Sequence, residues 1–82
     1  MASVEEASRV SAQFLRSAIN GKDVKVVRTT RLQDGWEAEA EVYEESAFIK
    51  SLGLPTRVMD RNIYRVKLDD HLEVQSFERQ TP

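Results

Sequence analysis

The residues of this sequence with the most chemistry to offer are carboxylates. Glu37, Glu39, Glu41, Glu44 and Glu45 crowd the stretch that follows Asp34-Gly35-Trp36. The first three sit at i, i+2 and i+4, positions that a strand places on one side, about 6–7 Å apart. Converging carboxylates could bind a divalent cation or share a proton. Calcium, however, takes six to eight oxygens at about 2.4 Å, which a folded-back loop supplies and a straight strand does not. The row therefore reads as the outer face of a sheet, balanced by neighbouring cations. Residues 50–67 supply these as Lys50, Arg57, Arg61, Arg65 and Lys67, against Asp60 as the only acid.

His71, the one histidine, follows Asp69 and Asp70. A general base needs a nucleophile to serve and a pocket that excludes water, and the tip of a hairpin provides neither. No Ser or Thr has an orienting His beside it, and no glycine-rich phosphate loop occurs: the three glycines are isolated turn residues. The absence of cysteine removes thiol nucleophiles, zinc knuckles and disulfides. The expectation is a protein that is not an enzyme and needs no metal or cofactor.

The elements that position these side chains follow from periodicity. The 82 residues suffice for one domain, 1–82, and 40% hydrophobic with 32% charged residues is the balance of an ordinary folded domain. Ser3-Val4-Glu5-Glu6 has the form of a capping box, and Val4, Ala7, Val10, Phe14 and Ala18 recur at helical spacing, with Leu15 and Ile19 beside them. Asn20-Gly21 supplies a stop, so the spacing predicts an amphipathic helix over 4–19. From Val24 to Leu32 the sequence is rich in Val and Thr, and Trp36 to Tyr43 alternates strictly. A three-residue loop, Gln33-Asp34-Gly35 with Gly35 left-handed, would join them. That register pairs Leu32 with Trp36, Val26 with Val42 and Arg31 with Glu37.

Ala47, Phe48, Ile49 and Leu52 fit a short helix ended by Gly53 and Pro55, a crossover within the 46–60 connection. Tyr64, Val66 and Leu68 mark a third strand, Asp69-Asp70-His71-Leu72 a turn, and residues from about Glu73 to Arg79 a fourth. The predicted fold is α+β: one N-terminal amphipathic helix packed on a four-stranded antiparallel sheet over 24–79, with a short helical crossover between strands two and three.

The second half also resembles a known family. Asp34-Gly35-Trp36, the acidic Val-containing strand to Val42-Tyr43-Glu44, Pro55, then Tyr64-Arg65-Val66-Lys67-Leu68-Asp69 and Phe77-Glu78-Arg79 are similar to the gas vesicle protein O (GvpO) family. Its members read Asp-Gly-Trp, an acidic Val-rich strand, a Pro-containing connection, Tyr-x-Val-x-Leu-Asp, a turn, and an aromatic followed by Arg. The likeness spans about residues 27–79. His71-Leu72 stands where the family usually has Asp-Gly in the second turn, the connection is longer by Ala47 to Leu54, and the long acidic N-terminal extension of some members is missing. The resemblance implies a non-enzymatic accessory protein in gas vesicle formation that contacts shell or other accessory proteins. A lesser likeness is to PepSY-type modules, which implies a binding or inhibitory role.

Other partners are bounded by composition. No apolar run approaches the roughly 20 residues that span a bilayer, and the acidic start, Met1 to Glu6, lacks the regions of a signal peptide. The expected location is cytoplasmic, associated with gas vesicles, with no membrane partner. A net charge of −2 gives no basic excess to drive nucleic-acid binding. Arg57, Arg61, Arg65, Lys67 and Arg79 could form a basic stripe, but the acidic strand cancels much of its field, so a nucleic-acid-binding regulator is the remote alternative. For protein contacts, alternation puts Val27, Tyr43, Ile63 and Phe77 on the side of the sheet away from the helix. Arg65 and Lys67 stand at their rim. This face would dock a partner, a second copy of the chain included.

Overall fold

The computed structural model describes residues 3–19, 23–45, 51–53 and 59–80. Its elements run α1 (Val4–Ala18), β1 (Asp23–Leu32), β2 (Gly35–Glu45), β3 (Met59–Asp69) and β4 (Val74–Gln80). The strands form one sheet in the order β1-β2-β3-β4, each pair antiparallel. β2 and β3 are thus direct antiparallel neighbours. The helical segment expected between them lies outside the described residues, apart from residues 51–53, where Gly53 takes the left-handed φ of 72°.

Ser3 starts α1 as the expected cap: its extended backbone presents Oγ to the Glu6 amide at 3.2 Å. Glu5 and Glu6 place negative charge at the positive end of the helix dipole. The last turn closes on the Ile19 amide, which donates to the Leu15 carbonyl at 2.9 Å. Ala7, Ser11 and Leu15, spaced four apart, are the fully buried row. Two of these positions hold small residues, and Ala38 and Ala40 on the sheet are small and fully buried as well. Trp36, Val42, Tyr64, Val66 and Leu68 complete the core. The helix lies mainly over β1 and β2.

Length governs what the helix leaves uncovered. At 1.5 Å per residue α1 is about 22 Å long, whereas the eleven-residue strands β2 and β3 extend about 36 Å. One end of the helix side of the sheet thus projects beyond α1, and the side chains there turn polar: Glu44, Asp60 and Asn62.

Two registers differ from expectation, for one reason. Leu32 pairs with Gly35 across a two-residue loop, Gln33-Asp34, and Arg31, not Leu32, stands opposite Trp36. A bulge at Val27 takes up one residue of β1, so Val26 pairs with Ala40 while Arg28 pairs with Glu39. Below the bulge Val24 and Val26 face the helix; above it Thr29 and Arg31 do, and Leu32 turns to the outer side. A strand read as unbroken alternation cannot show this, because one inserted residue exchanges the two faces. Gly35 is not left-handed. Its need for glycine is steric: a Cβ there would overlap the carbonyl oxygen of Leu68, whose neighbour Asp69 pairs with Gly35.

The second bulge is on β4. Leu68 pairs with Val74 but Lys67 with Ser76, leaving Gln75 as the extra residue. Phe77 therefore pairs with Val66 and faces the helix, where its ring meets Phe14 edge to face, centroids 5.0 Å apart and planes at 72°. The expectation that Phe77 lies on the open face is corrected.

Candidate protein-interaction surface

The side of the sheet away from α1 is built from the alternate residues of the same strands. On β2 these are Glu37, Glu39, Glu41 and Tyr43. Strand β3 sets Lys67, Arg65, Ile63 and Arg61 directly opposite them, in that order. From the other flank Thr30, Arg28, Lys25 and Asp23 of β1 face the same four positions. Cations thus flank the acidic row on both sides, Lys67, Arg65 and Arg61 from β3 and Arg28 and Lys25 from β1. Arg65 reaches both Glu37 (Nε to Oε1, 3.5 Å) and Glu39 (Nη2 to Oε1, 3.7 Å), while Arg61 donates to Glu41. The three glutamate side chains retain 31%, 27% and 19% of their exposure. Partial coverage by cations of this kind describes a paired, solvated comb. Among the described residues no three His, Asp and Glu side chains gather to hold a metal ion.

The charges act on titration in the expected sense. The hydrogen bond from Arg61, with the charges of Arg61 and Lys25, holds the Glu41 carboxyl below the usual carboxylate range despite partial desolvation. Glu41 raises Arg61 in return.

Of the residues expected to dock a partner, Tyr43, Ile63, Arg65 and Lys67 share this outer face on adjacent strands. Ile63 and Tyr43 are half-buried, with Glu41 opposite Ile63 and Arg61 opposite Tyr43. Val27 stands apart at the β1 bulge and is 49% exposed. Phe77 belongs to the opposite side, as described. Leu32, expected inside, joins the outer face instead.

The helix side carries features that sequence reasoning missed. Arg31 stacks over Trp36 at 5.0 Å, donates to the Gly35 carbonyl at 3.2 Å and pairs with Asp70 at 3.1 Å, tying the β1–β2 and β3–β4 turns together. Asp69 organises the second turn: Oδ1 accepts from the His71 and Glu73 amides at 2.8 and 3.0 Å, and Oδ2 accepts from Gln75 at 3.1 Å. In that turn Leu72 holds φ at 62°, a left-handed geometry that favours glycine, while packing against the core. Tyr64 donates to the Glu44 carboxylate (3.1 and 3.3 Å), and Asn62 donates to the same group. Burial, reinforced by Glu44, pushes the Tyr64 hydroxyl above the usual phenol value. Ser8 donates to the Val4 carbonyl at 2.8 Å and shares a 2.7 Å hydrogen bond with Thr29, fixing α1 on β1. The Asp and Tyr positions are visible in sequence, but their partners depend on the bulged registers.

Comparisons against family models, curated proteins and solved structures find no match. Among the described residues no helix is long and apolar enough to cross a membrane.

Proposed function

We propose that this protein is a non-enzymatic accessory factor in gas vesicle formation, working in the cytoplasm through contacts with shell or other accessory proteins. The observation that carries the reading is the pairing of the two separated halves of the motif. Gly35 faces Asp69 and Trp36 faces Leu68 in continuous register, so Asp-Gly-Trp and Tyr-x-Val-x-Leu-Asp form one structural unit. Its glycine is required by the Leu68 carbonyl, its Trp by the core, and its Asp by the following turn. A family pattern made of residues with such interdependent duties supports kinship more strongly than scattered identities would. The alternating acid and base of the outer face suits contact with a polar protein surface. Tyr43 and Ile63 are its apolar centre, and Arg65 and Lys67 set the approach of a partner.

The test is association with purified gas vesicle shell and accessory proteins. The wild-type chain should be retained by at least one of them. Tyr43→Ala combined with Ile63→Ala, confirmed folded by circular dichroism, should reduce retention by about tenfold or more, equivalent to roughly 1.4 kcal/mol. Arg65→Ala should weaken it by less and mainly slow association. A wild-type chain that ignores every one of these proteins would remove the proposal.

A further inference from the structure

The strand order gives the charges of the outer face a pattern with a symmetry of its own. One row crosses all four strands: Arg28 of β1 stands opposite Glu39 of β2, Glu39 opposite Arg65 of β3, and Arg65 opposite Glu78 of β4. Its signs alternate plus, minus, plus, minus. The next row toward the turns reads Thr30, Glu37, Lys67 and Ser76, polar at both ends with minus and plus between. Both rows are antisymmetric, so a half-turn about a line between β2 and β3 exchanges every charge for its opposite. One copy leaves part of this pattern unused. Arg65 is shared between Glu37 and Glu39, whereas Arg28, Lys67 and Glu78 are exposed and make no ion pair among the described residues.

We propose that the chain self-associates face to face as a two-fold dimer, with the axis between β2 and β3 and along the strands. The symmetry lays β2 over β3 of the second copy and β1 over its β4. Arg28 then meets Glu78 of the second copy, Glu39 meets its Arg65, and Glu37 meets its Lys67, each pair occurring twice. Tyr43 falls over the second copy's Arg61, a cation–π partner. Glu41 falls over Ile63 and adds nothing. Packed sheets stand about 10 Å apart, a gap that an arginine and a glutamate bridge end to end. Charge rejects the other arrangements. An axis across the strands would set Glu39 on Glu39 and Arg65 on Arg65, and an axis along β2 or β3 would also stack like on like. An axis in either outer gap would leave two strands outside the contact. Only a second copy is certain to carry the inverse of these rows. The contact is small and polar, of the transient class, and a dissociation constant of about 100 μM is expected. The inference does not rest on the gas vesicle reading, although both use one face, so dimer and docked partner exclude each other.

Sedimentation velocity of the full chain over a concentration series, without any other protein, tests it. Wild type should pass from monomer to dimer, and raising salt from about 0.05 to 0.5 M should weaken the dimer. Arg28→Glu and, separately, Glu78→Arg should each weaken it by about tenfold or more, and the two combined should recover it. Within one copy these residues are three strand spacings apart, about 14 Å. Recovery therefore reports a contact between copies and not a repair of the fold. Both positions are exposed, and circular dichroism should show every variant folded. Arg9→Glu, exposed on α1, should leave the dimer unchanged. A chain that stays monomeric to about 1 mM would return the face to a different protein and overturn the proposal. A dimer indifferent to salt or to either single reversal, or a double reversal that recovers nothing, would overturn it too.

Discussion

The central strands and the edge strands of this sheet solve different problems. β2 and β3 pair without interruption over their full lengths, from Gly35 with Asp69 to Glu45 with Met59. Each edge strand carries one bulge instead, at Val27 in β1 and at Gln75 in β4. In the centre, strict alternation keeps Trp36, Ala38, Ala40 and Val42 under the helix and the glutamates outside. At the edges the bulges re-aim side chains. One turns Arg31 onto Trp36 and Leu32 outward; the other swings Phe77 round to Phe14. The centre holds the core together, while the edges determine which apolar residues remain available to a partner.

The largest effects should come from the centre. Leu68→Ala, at a fully buried site between Trp36 and Val74, should cost about 2–5 kcal/mol. For a domain of this size that is a large share of total stability, and a urea melt will show it. Gly35→Ala should also be severe, because its Cβ meets backbone and not a movable side chain. If either variant melted like wild type, the central pairing would be wrong.

The edges should yield smaller, coupled effects. A double-mutant cycle on Phe14→Ala and Phe77→Ala should give a coupling of about 0.5–1.5 kcal/mol, the usual value of an edge-to-face aromatic pair. Zero coupling would separate the two rings.

Titration offers a further contrast. Tyr64 holds its proton more tightly in the folded chain than an unfolded tyrosine does. The stability this contributes is present in full below the unfolded value of about 10. It is lost as pH rises through the folded value. Tyr64→Phe should therefore lose less stability than wild type between about pH 9 and pH 11, as read from denaturant midpoints. Parallel losses would remove Tyr64 from the account. Least of all should change with Glu39→Gln on the outer comb. Its partner Arg65 is 3.7 Å away and solvated, so the shift should stay within about 0.5 kcal/mol.

What could be read from the sequence divides along the same line as the strands. The helix, its Ser3 cap and the core of β2 and β3 follow from capping chemistry and from periods of 3.6 and 2, which nothing in those segments interrupts. The outward acidic row was legible for the same reason, together with the cations opposite it. Phe77 and Leu32 were not. Their faces depend on Val27 and Gln75, two unremarkable residues, and a bulge of this kind need not announce itself by a glycine or proline. Gly35 was legible as a turn signal but for the wrong cause, since only the pairing with β3 reveals the Leu68 carbonyl above it. Leu72 gave no warning of its left-handed backbone, which Asp69, three residues back, brackets by accepting from the His71 and Glu73 amides.

The placement of Phe77 tests the bulged registers most directly, because it determines which apolar residues remain on the outer face. Nuclear Overhauser contacts between assigned aromatic and methyl protons measure it directly. The structure predicts cross-peaks from the Phe77 ring to Phe14 and to the Val66 methyls, with none to Ile63 or Tyr43. Contacts from Phe77 to Ile63 or Tyr43, with Phe14 silent, would mean that β4 runs without its bulge and would contradict the account.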